Sequence, residues 1–251
     1  MIIALIQARM GSTRLPGKVL KPLDGKAVIE HVIERTKKAT GIDEVIVVTS
    51  IESANLPLIR HVASLGIRVF VGSEDDVLDR YWQAARLTPA NHIVRVTADC
   101  PLLDSTVVAS VIKVHLEQNN DYTSNIDPPT WPDGLDVEVM KRSVLEIAWR
   151  EAEDSHDREH VTPYIRRNYK RFRLGNVLSQ ENLSEYRWTL DREEDYRFLC
   201  RIFRDLSDGT DIYFTHRIID YLKKNPELLS INQGIMRNEG SMKRGADNND
   251  I

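Results

Sequence analysis

Cysteine is almost missing from this chain. Cys100 and Cys200 are its two thiols, and they form no CxxC pair. That count excludes a disulfide framework and a cysteine-built zinc site, and it suits a reducing cytosol. No His base is placed beside Cys100 in sequence, so it reads as an inert, buried thiol. Long apolar runs are missing too: none approaches the ~18 residues a membrane span needs. The chain opens on a strand-like run with no charged segment before a long apolar stretch. No signal peptide and no membrane partner are therefore expected, and the expected location is cytoplasmic. Charge of one sign is also missing. There are 34 basic and 38 acidic residues, a net of −4, so general nucleic-acid affinity is not expected. No internal repeat is found. At 251 residues one domain is the default, with room for a sizeable core.

The familiar phosphate signatures are absent as well. A P-loop needs Gly, four residues, then Gly-Lys-Ser/Thr. Here five residues separate Gly11 from Gly17, Ser12 stands at the required first-glycine position, and Val19 follows Lys18. The dinucleotide pattern GxGxxG fails, and no Asp-x-Asp occurs anywhere. What is present is the loop Ala8-Arg9-Met10-Gly11-Ser12-Thr13-Arg14-Leu15-Pro16-Gly17-Lys18. It follows the apolar run Ile2-Ile3-Ala4-Leu5-Ile6, which reads as a buried parallel strand. In open α/β sheets ligands sit outside the carboxyl ends of strands. Arg9, Arg14 and Lys18 at such an end suit a polyanion, and a triphosphate is the obvious candidate. A solvated basic loop would carry the same residues.

Further along, strand and helix alternate. Helices are predicted over 28–39, 56–65, 77–87 and 104–118, with strands over 44–49, 67–71 and 93–96. Asp75 or Asp76, and Asp104 or Ser105, are the expected helix caps. The alternation implies a mostly parallel sheet covered on both faces. After Asn120 the regularity fails. Residues 125–134 read as a loop over the site, 135–139 as a strand, 144–153 as a helix, and 154–180 give no clear pattern. A strand is expected over 185–190, then helices ending at Leu206 and over 217–223. Residues 237–251 carry hardly any apolar periodicity and read as frayed or disordered.

Two carboxylates stand out. Asp99 lies just past the strand 93–96, and Pro101 keeps it out of a regular helix. Magnesium takes one or two carboxylates plus phosphate oxygens. Asp191 follows the strand-like 188–190 and is the second candidate ligand. Turn and helix capping are the competing readings for both. Asp136 and Glu138 are two apart on a predicted strand and share a face. They are candidates for sugar contact, although an exposed strand face would look the same.

These motifs resemble the signature of SpsF-like cytidylyltransferases, relatives of CMP-Kdo and CMP-neuraminate synthetases. The resemblance rests on the first loop together with Arg95-Val96-Thr97-Ala98-Asp99-Cys100-Pro101-Leu102, which are specific as a pair. It continues in residues 72–81, in Tyr122-Thr123-Ser124-Asn125, in 132–138 and in 158–164, and covers most of 1–232. Asp191-Arg192 is a partial match to the late Val-Asp-Thr stretch of CMP-Kdo synthetases. The resemblance implies an α/β fold with a mostly parallel mixed sheet flanked by helices, like the nucleotide-diphospho-sugar transferases. It implies one nucleotidyltransferase domain over 1–232, an acceptor and dimer region over about 121–180, and a flexible tail over 233–251. The implied substrates are CTP and a small sugar acid, with Mg2+ as cofactor and a homodimer as the assembly. The implied nucleotide-binding set is Ala8, Arg9, Gly11, Ser12, Arg14, Lys18, Gly72, Asp79, Arg80 and Ala98. Arg9, Arg14, Lys18 and Asp99 would carry catalysis, and Asp99 and Asp191 would hold the metal. Asn125, Asp133, Asp136, Glu138, Arg158 and His160 would line the acceptor pocket. The competing readings are a glycosyltransferase on the same fold, which usually shows Asp-x-Asp, and a non-catalytic nucleotide-binding protein. Fold alone does not separate them.

Overall fold

The computed structural model describes residues 1–206, 214–235 and 237. Its strands are β1 (Ile2–Gln7), β2 (Pro22–Leu23), β3 (Lys26–Ala27), β4 (Glu44–Ser50), β5 (Arg68–Gly72), β6 (His92–Thr97), β7 (Tyr122–Ser124), β8 (Glu138–Lys141) and β9 (Leu174–Asn176). Its helices are α1 (Val28–Lys37), α2 (Leu56–Ser64), α3 (Val77–Arg86), α4 (Ser105–Glu117), α5 (Arg142–Glu151), α6 (Ser155–His160), α7 (Pro163–Arg167), α8 (Glu193–Leu206) and α9 (Thr215–Lys224). Seven strands form one sheet in the order β5-β4-β1-β6-β8-β7-β9, and β2-β3 is a separate small hairpin. The first four strands of that order are parallel. β8 runs antiparallel to both β6 and β7, and β9 runs parallel to β7.

The near-continuous apolar strands follow from burial on both faces. Ile2, Ala4 and Ile6 of β1 pack with Ile29, Val32 and Ile33 of α1 and with Val108, Val111 and Ile112 of α4. Ile3 and Leu5 point the other way, to Leu78 and Tyr81 of α3 and Leu145 of α5. A third apolar cluster gathers Leu15 and Leu102 with Trp188, Leu190 and the inner faces of α8 and α9. It fixes the ends of the loops after β1 and β6 against the late part of the chain. The predicted caps form: Asp76 accepts from the Asp79 amide, and Asp104 from the Thr106 amide.

β1 is the point where the chain changes sides. Its successor β4 lies on one flank, while β6 lies on the other, with Gln7 opposite Thr97 at the carboxyl ends. The loops after β1 and β6 therefore diverge above a crevice, the place where α/β sheets take ligands.

Several expectations need correction. The strand expected over 135–139 begins only at Glu138. Residues 185–190 form no strand and make one bridge, Arg187 to Asp133. β7, β9, α6 and α7 were not legible, being three to six residues long, too short for a period to show. Residues 121–180 carry β7, β8 and β9, so they complete the main sheet. The expected flexible tail falls, apart from residues 233–235 and 237, outside the described residues.

Gly134 joins this late sheet to the site. Its φ is +113°, and a Cβ there would lie 2.7 Å from the Thr189 nitrogen and the Trp188 carbonyl carbon. Both obstacles are backbone, so neither can swing aside. Gly134→Ala is expected to cost about 2 kcal/mol or more. A thermal midpoint unchanged from the parent protein would show that the two segments separate freely.

Candidate active site

The loop after β1 is held by bonds within itself and to Asn55. The Met10 amide donates to Asn55 Oδ1 at 2.8 Å, the Gly17 amide to the Met10 carbonyl at 3.2 Å, and the Leu15 amide to Ser12 Oγ at 3.3 Å. Gly17 takes φ +67° as it leads into a single 3-10 turn, Lys18–Leu20. That turn sends the Lys18 side chain inward. Its Nζ donates to Asp99 Oδ2 at 2.7 Å, to Asp191 Oδ1 at 2.8 Å and to the Leu190 carbonyl at 2.8 Å. Arg14 Nη2 lies 3.4 Å from the same Asp191 oxygen. Three segments far apart in sequence thus meet at one ammonium.

Asp99 and Asp191 are themselves placed by backbone. The Leu190 amide donates to the Asp99 carbonyl at 2.8 Å, and the Trp188 amide to the Asp133 carbonyl at 2.6 Å. Trp188 is fully buried and anchors this extended segment. Arg187, alternating with Thr189 and Asp191 along it, is the hub beneath. Its Nη1 reaches Asp133 Oδ2 at 3.0 Å, its Nη2 reaches Asp191 Oδ2 at 3.2 Å, and its Nε reaches Asp195 Oδ1 at 2.9 Å. Asp195 also accepts from the amides of Asp191 and Arg192, capping the start of α8.

Beside this lies a cavity of about 430 Å³. Asp99, Asp133, Asp136, Glu138 and Asp191 line it, facing Arg95, Arg166, Arg237, His156 and His160. Glu138 is buried. It accepts from Arg95, from the Tyr122 hydroxyl at 2.5 Å and from Thr162 Oγ1 at 2.6 Å. Asp136 pairs with Arg237, whose Nη1 also donates to the Trp131 carbonyl at 3.0 Å.

The charges shift one another. Burial pushes the Asp99 carboxyl up, but the Lys18 ammonium outweighs it and holds the group down to about 2. Burial pulls Lys18 down, and Asp99 and Asp191 together raise it above its ordinary value. Asp136 is pushed up to about 7 by burial, against Arg237 and with help from Asp133 and Glu138. It is thus a carboxylate able to take up a proton near neutrality. Burial, reinforced by Asp99, drives the Cys100 thiol well up, in keeping with an inert sulfur.

The other predicted residues divide. Arg9 pairs with Glu74 at 3.0 Å. Gly11 is exposed with open space around it, and Ser12 is half-buried beside it. Ala8 and Ala98 are buried and give their amides to the sheet. Gly72 makes room for Arg80, whose side chain would lie 3.0 Å from an added Cβ. Arg80 itself is 1% exposed. Its Nε and Nη2 hold the Ser73 and Glu74 carbonyls at 2.8 and 2.9 Å, so it shapes that loop from beneath. Asp79 accepts from Trp149 Nε1 at 2.8 Å and Gln83 Nε2 at 2.9 Å. Arg158 donates to Asp76 at 2.9 Å and to the Trp149 carbonyl, tying α6 to α3. Asn125 is fully buried; it bonds the Leu135 carbonyl at 2.7 Å and the Val137 amide at 2.8 Å. Arg80, Asp79, Arg158 and Asn125 thus bond to the protein's own groups, and none of them lines the cavity. Asp133, Asp136, Glu138 and His160 do line the cavity. Arg187, Arg95, Arg166, Arg237 and Asn55 were missed.

A divalent cation fits the donor set. Two carboxylates place oxygens 2.7 and 2.8 Å from one cationic atom. Among the described residues no group of three or more His, Cys, Asp or Glu is arranged to hold a metal alone. Two carboxylates completed by phosphate oxygens is the arrangement magnesium favours.

The family model for cytidylyltransferases matches residues 3–202. The chain belongs to the cytidylyltransferase family. It is 32% identical over 233 residues to the spore coat polysaccharide biosynthesis protein SpsF of Bacillus subtilis, covering 90% of this chain and 95% of that one. A solved cytidylyltransferase from Leptospira borgpetersenii superposes with a TM-score of 0.88 at 32% identity, covering 94% and 98% of the two chains. A CMP:2-keto-3-deoxy-manno-octonic acid synthetase solved with CTP shares the fold, with a TM-score of 0.62 at 17% identity over 81% of this chain and 98% of that one. The fold is that of the nucleotide-diphospho-sugar transferases.

Because the folded-state pKa of Asp99 is depressed, its pairing stabilises the protein above the ordinary carboxylate range and is lost as pH falls toward 2. The raised pKa of Lys18 gives the opposite sign: its contribution is complete below 10.5 and is lost only above it. Lys18→Met in metal-free buffer is expected to lose on the order of 1–2 kcal/mol between about pH 5 and 8. The loss should shrink below about pH 3 as Asp99 protonates in either protein. Denaturant curves across pH check this, and a pH-independent difference would refute the pairing.

Proposed function

We propose that this protein transfers CMP from CTP to a hydroxyl of a sugar acid, releasing pyrophosphate and giving a CMP-sugar for surface or spore-coat polysaccharide. The observation that carries the reading is the meeting of Lys18, Arg14, Asp99 and Asp191 at the ends of β1 and β6, beside a cavity for a second substrate. The acceptor oxygen attacks the α-phosphorus of CTP. A P–O bond forms there and the bond to the leaving pyrophosphate breaks, while the acceptor hydroxyl gives up its proton. Arg9, Arg14 and Lys18 would stabilise charge building on the pyrophosphate, and no protein nucleophile is needed. Asp99 and Asp191 would hold Mg2+, which when bound neutralises phosphate charge at the reacting centre. The family membership and the relative SpsF support the nucleotide and the pathway class. The resemblance to CMP-Kdo and CMP-neuraminate synthetases supports an anomeric hydroxyl of a 2-keto sugar acid as the acceptor. A cytoplasmic homodimer contacting through 121–180 is part of the same reading, and light scattering checks the dimer.

The direct test incubates the protein with each nucleoside triphosphate, Mg2+ and a panel of sugar acids, and measures pyrophosphate. Release with CTP alone among the four is expected. Asp99→Asn should abolish release while the protein keeps its fold; near-normal turnover would remove Asp99 from the metal site. Lys18→Ala should weaken CTP binding by about tenfold or more, in the range for a charged hydrogen bond, and weaken CMP binding far less. Calorimetry showing equal losses would take Lys18 away from the β,γ-phosphates.

A further inference from the structure

The acceptor cavity contains five carboxylates, and four of the cations around them are already committed. Lys18 lies between Asp99 and Asp191. Arg187 spans Asp133 and Asp191. Arg95 pairs with Glu138, and Arg237 with Asp136. An acidic acceptor entering such walls meets net repulsion unless one positive group is left over for it.

Arg166 is that group. It lines the cavity from α7, and its Nε is buried without a hydrogen-bond partner. Its one salt bridge among the described residues is to Asp127, at 4.0 Å, and the Asp127 side chain is 70% exposed. Its charge also reaches Glu138, but the Glu138 oxygens already accept from Arg95, Tyr122 and Thr162. Arg95 likewise leaves its Nε unpartnered, yet Glu138 cancels its charge directly.

The backbone under Arg166 is held with unusual firmness. Val161 adopts φ +72°, ψ −51°, and the Thr162 amide donates to the His160 carbonyl at 2.9 Å. That is a γ-turn of the strained hand, costly for a β-branched residue. Val161 is fully buried, which maintains it. The turn ends α6 with His160 on the cavity, directs Thr162 to Glu138, and starts α7 so that the Arg166 amide caps back to the Thr162 carbonyl at 3.1 Å.

We propose that Arg166 is the specificity-determining residue that reads a carboxylate on the acceptor. The inference rests on the cytidylyltransferase reading and assigns the side chain that recognises the acid group of its acceptor. A guanidinium fork matches a planar carboxylate, and a single uncommitted charge balances one negative charge better than the larger charge of a phosphate.

The test separates this from the reaction itself. Wild-type protein, Arg166→Gln and Arg166→Lys are labelled with 15N-arginine. Pyruvate, as the smallest 2-keto acid, and inorganic phosphate are titrated in, and CTP binding is measured in parallel by calorimetry. Pyruvate should shift the Arg166 Nε–H signal, identified by its loss in both variants, and phosphate should shift it less. CTP affinity should stay within about twofold in both variants, since Arg166 lies outside the triphosphate cluster. With 3-deoxy-manno-octulosonate as acceptor, Arg166→Gln should raise its KM about tenfold or more, with Arg166→Lys recovering part. A signal that pyruvate leaves unmoved, an equal or stronger response to phosphate, or an unchanged acceptor KM would overturn the proposal. Failure of CTP to bind the wild-type protein would instead strike at the cytidylyltransferase reading.

Discussion

One ammonium group holds the site together. Lys18 Nζ is shared by two carboxylates and a main-chain carbonyl, and so ties its own loop to two other parts of the chain. Each of those parts has its own apolar anchor. Leu15 fixes the loop before Lys18, Leu102 the turn after Asp99, and Trp188 with Leu190 the extended run before Asp191, all in one cluster. The polar junction therefore sits on top of an apolar one. Hydrophobic packing brings the segments near, and the charges then decide their alignment to tenths of an ångström.

Such a junction is a poor way to gain stability. Desolvating one ammonium and two carboxylates consumes most of what their attraction returns, and an apolar triplet of similar volume would hold the segments at least as well. What the charged arrangement offers is a preset electrostatic environment. With the Lys18 ammonium outweighing its burial, Asp99 stays ionised down to about 2. Arg187 extends the same logic downward. Its fork fixes Asp133, Asp191 and Asp195 at once, so Asp191 is oriented from below by a guanidinium and from above by an ammonium. A group held from both sides has few alternative positions.

The parts of this arrangement that were legible in sequence are those tied to regular structure. Lys18 and Asp99 follow apolar strands, and the rule placing ligands at strand carboxyl ends was enough to put them together. Asp191 was found from the strand-like 188–190 before it together with a partial family match, although 185–190 makes only one sheet bridge. Arg187 escaped notice because its importance lies in three partners, none nearer than four residues along the chain. Asn125 and Arg158 show the complementary case. Both stand in motifs of the family signature, yet their side chains are spent on backbone and on a helix cap. A motif preserves a fold as readily as it preserves a contact with substrate, and sequence alone does not say which.

The sheet itself has two unlike halves, and the proposed reaction would use both. The parallel half presents divergent loops at β1 and β6, where the triphosphate would lie. The antiparallel half turns β8 back beside β6, placing Glu138 opposite Arg95 in register. That reversal brings Glu138 and the residues around it to one side of the crevice, where they line the cavity. Basic residues gather in the loop after β1, and carboxylates line the cavity. In the proposed reaction the polyanion would be drawn to the first region, and the hydroxyls of the acceptor would find hydrogen-bond acceptors in the second. The change of strand direction between β6 and β8 is the structural origin of that asymmetry.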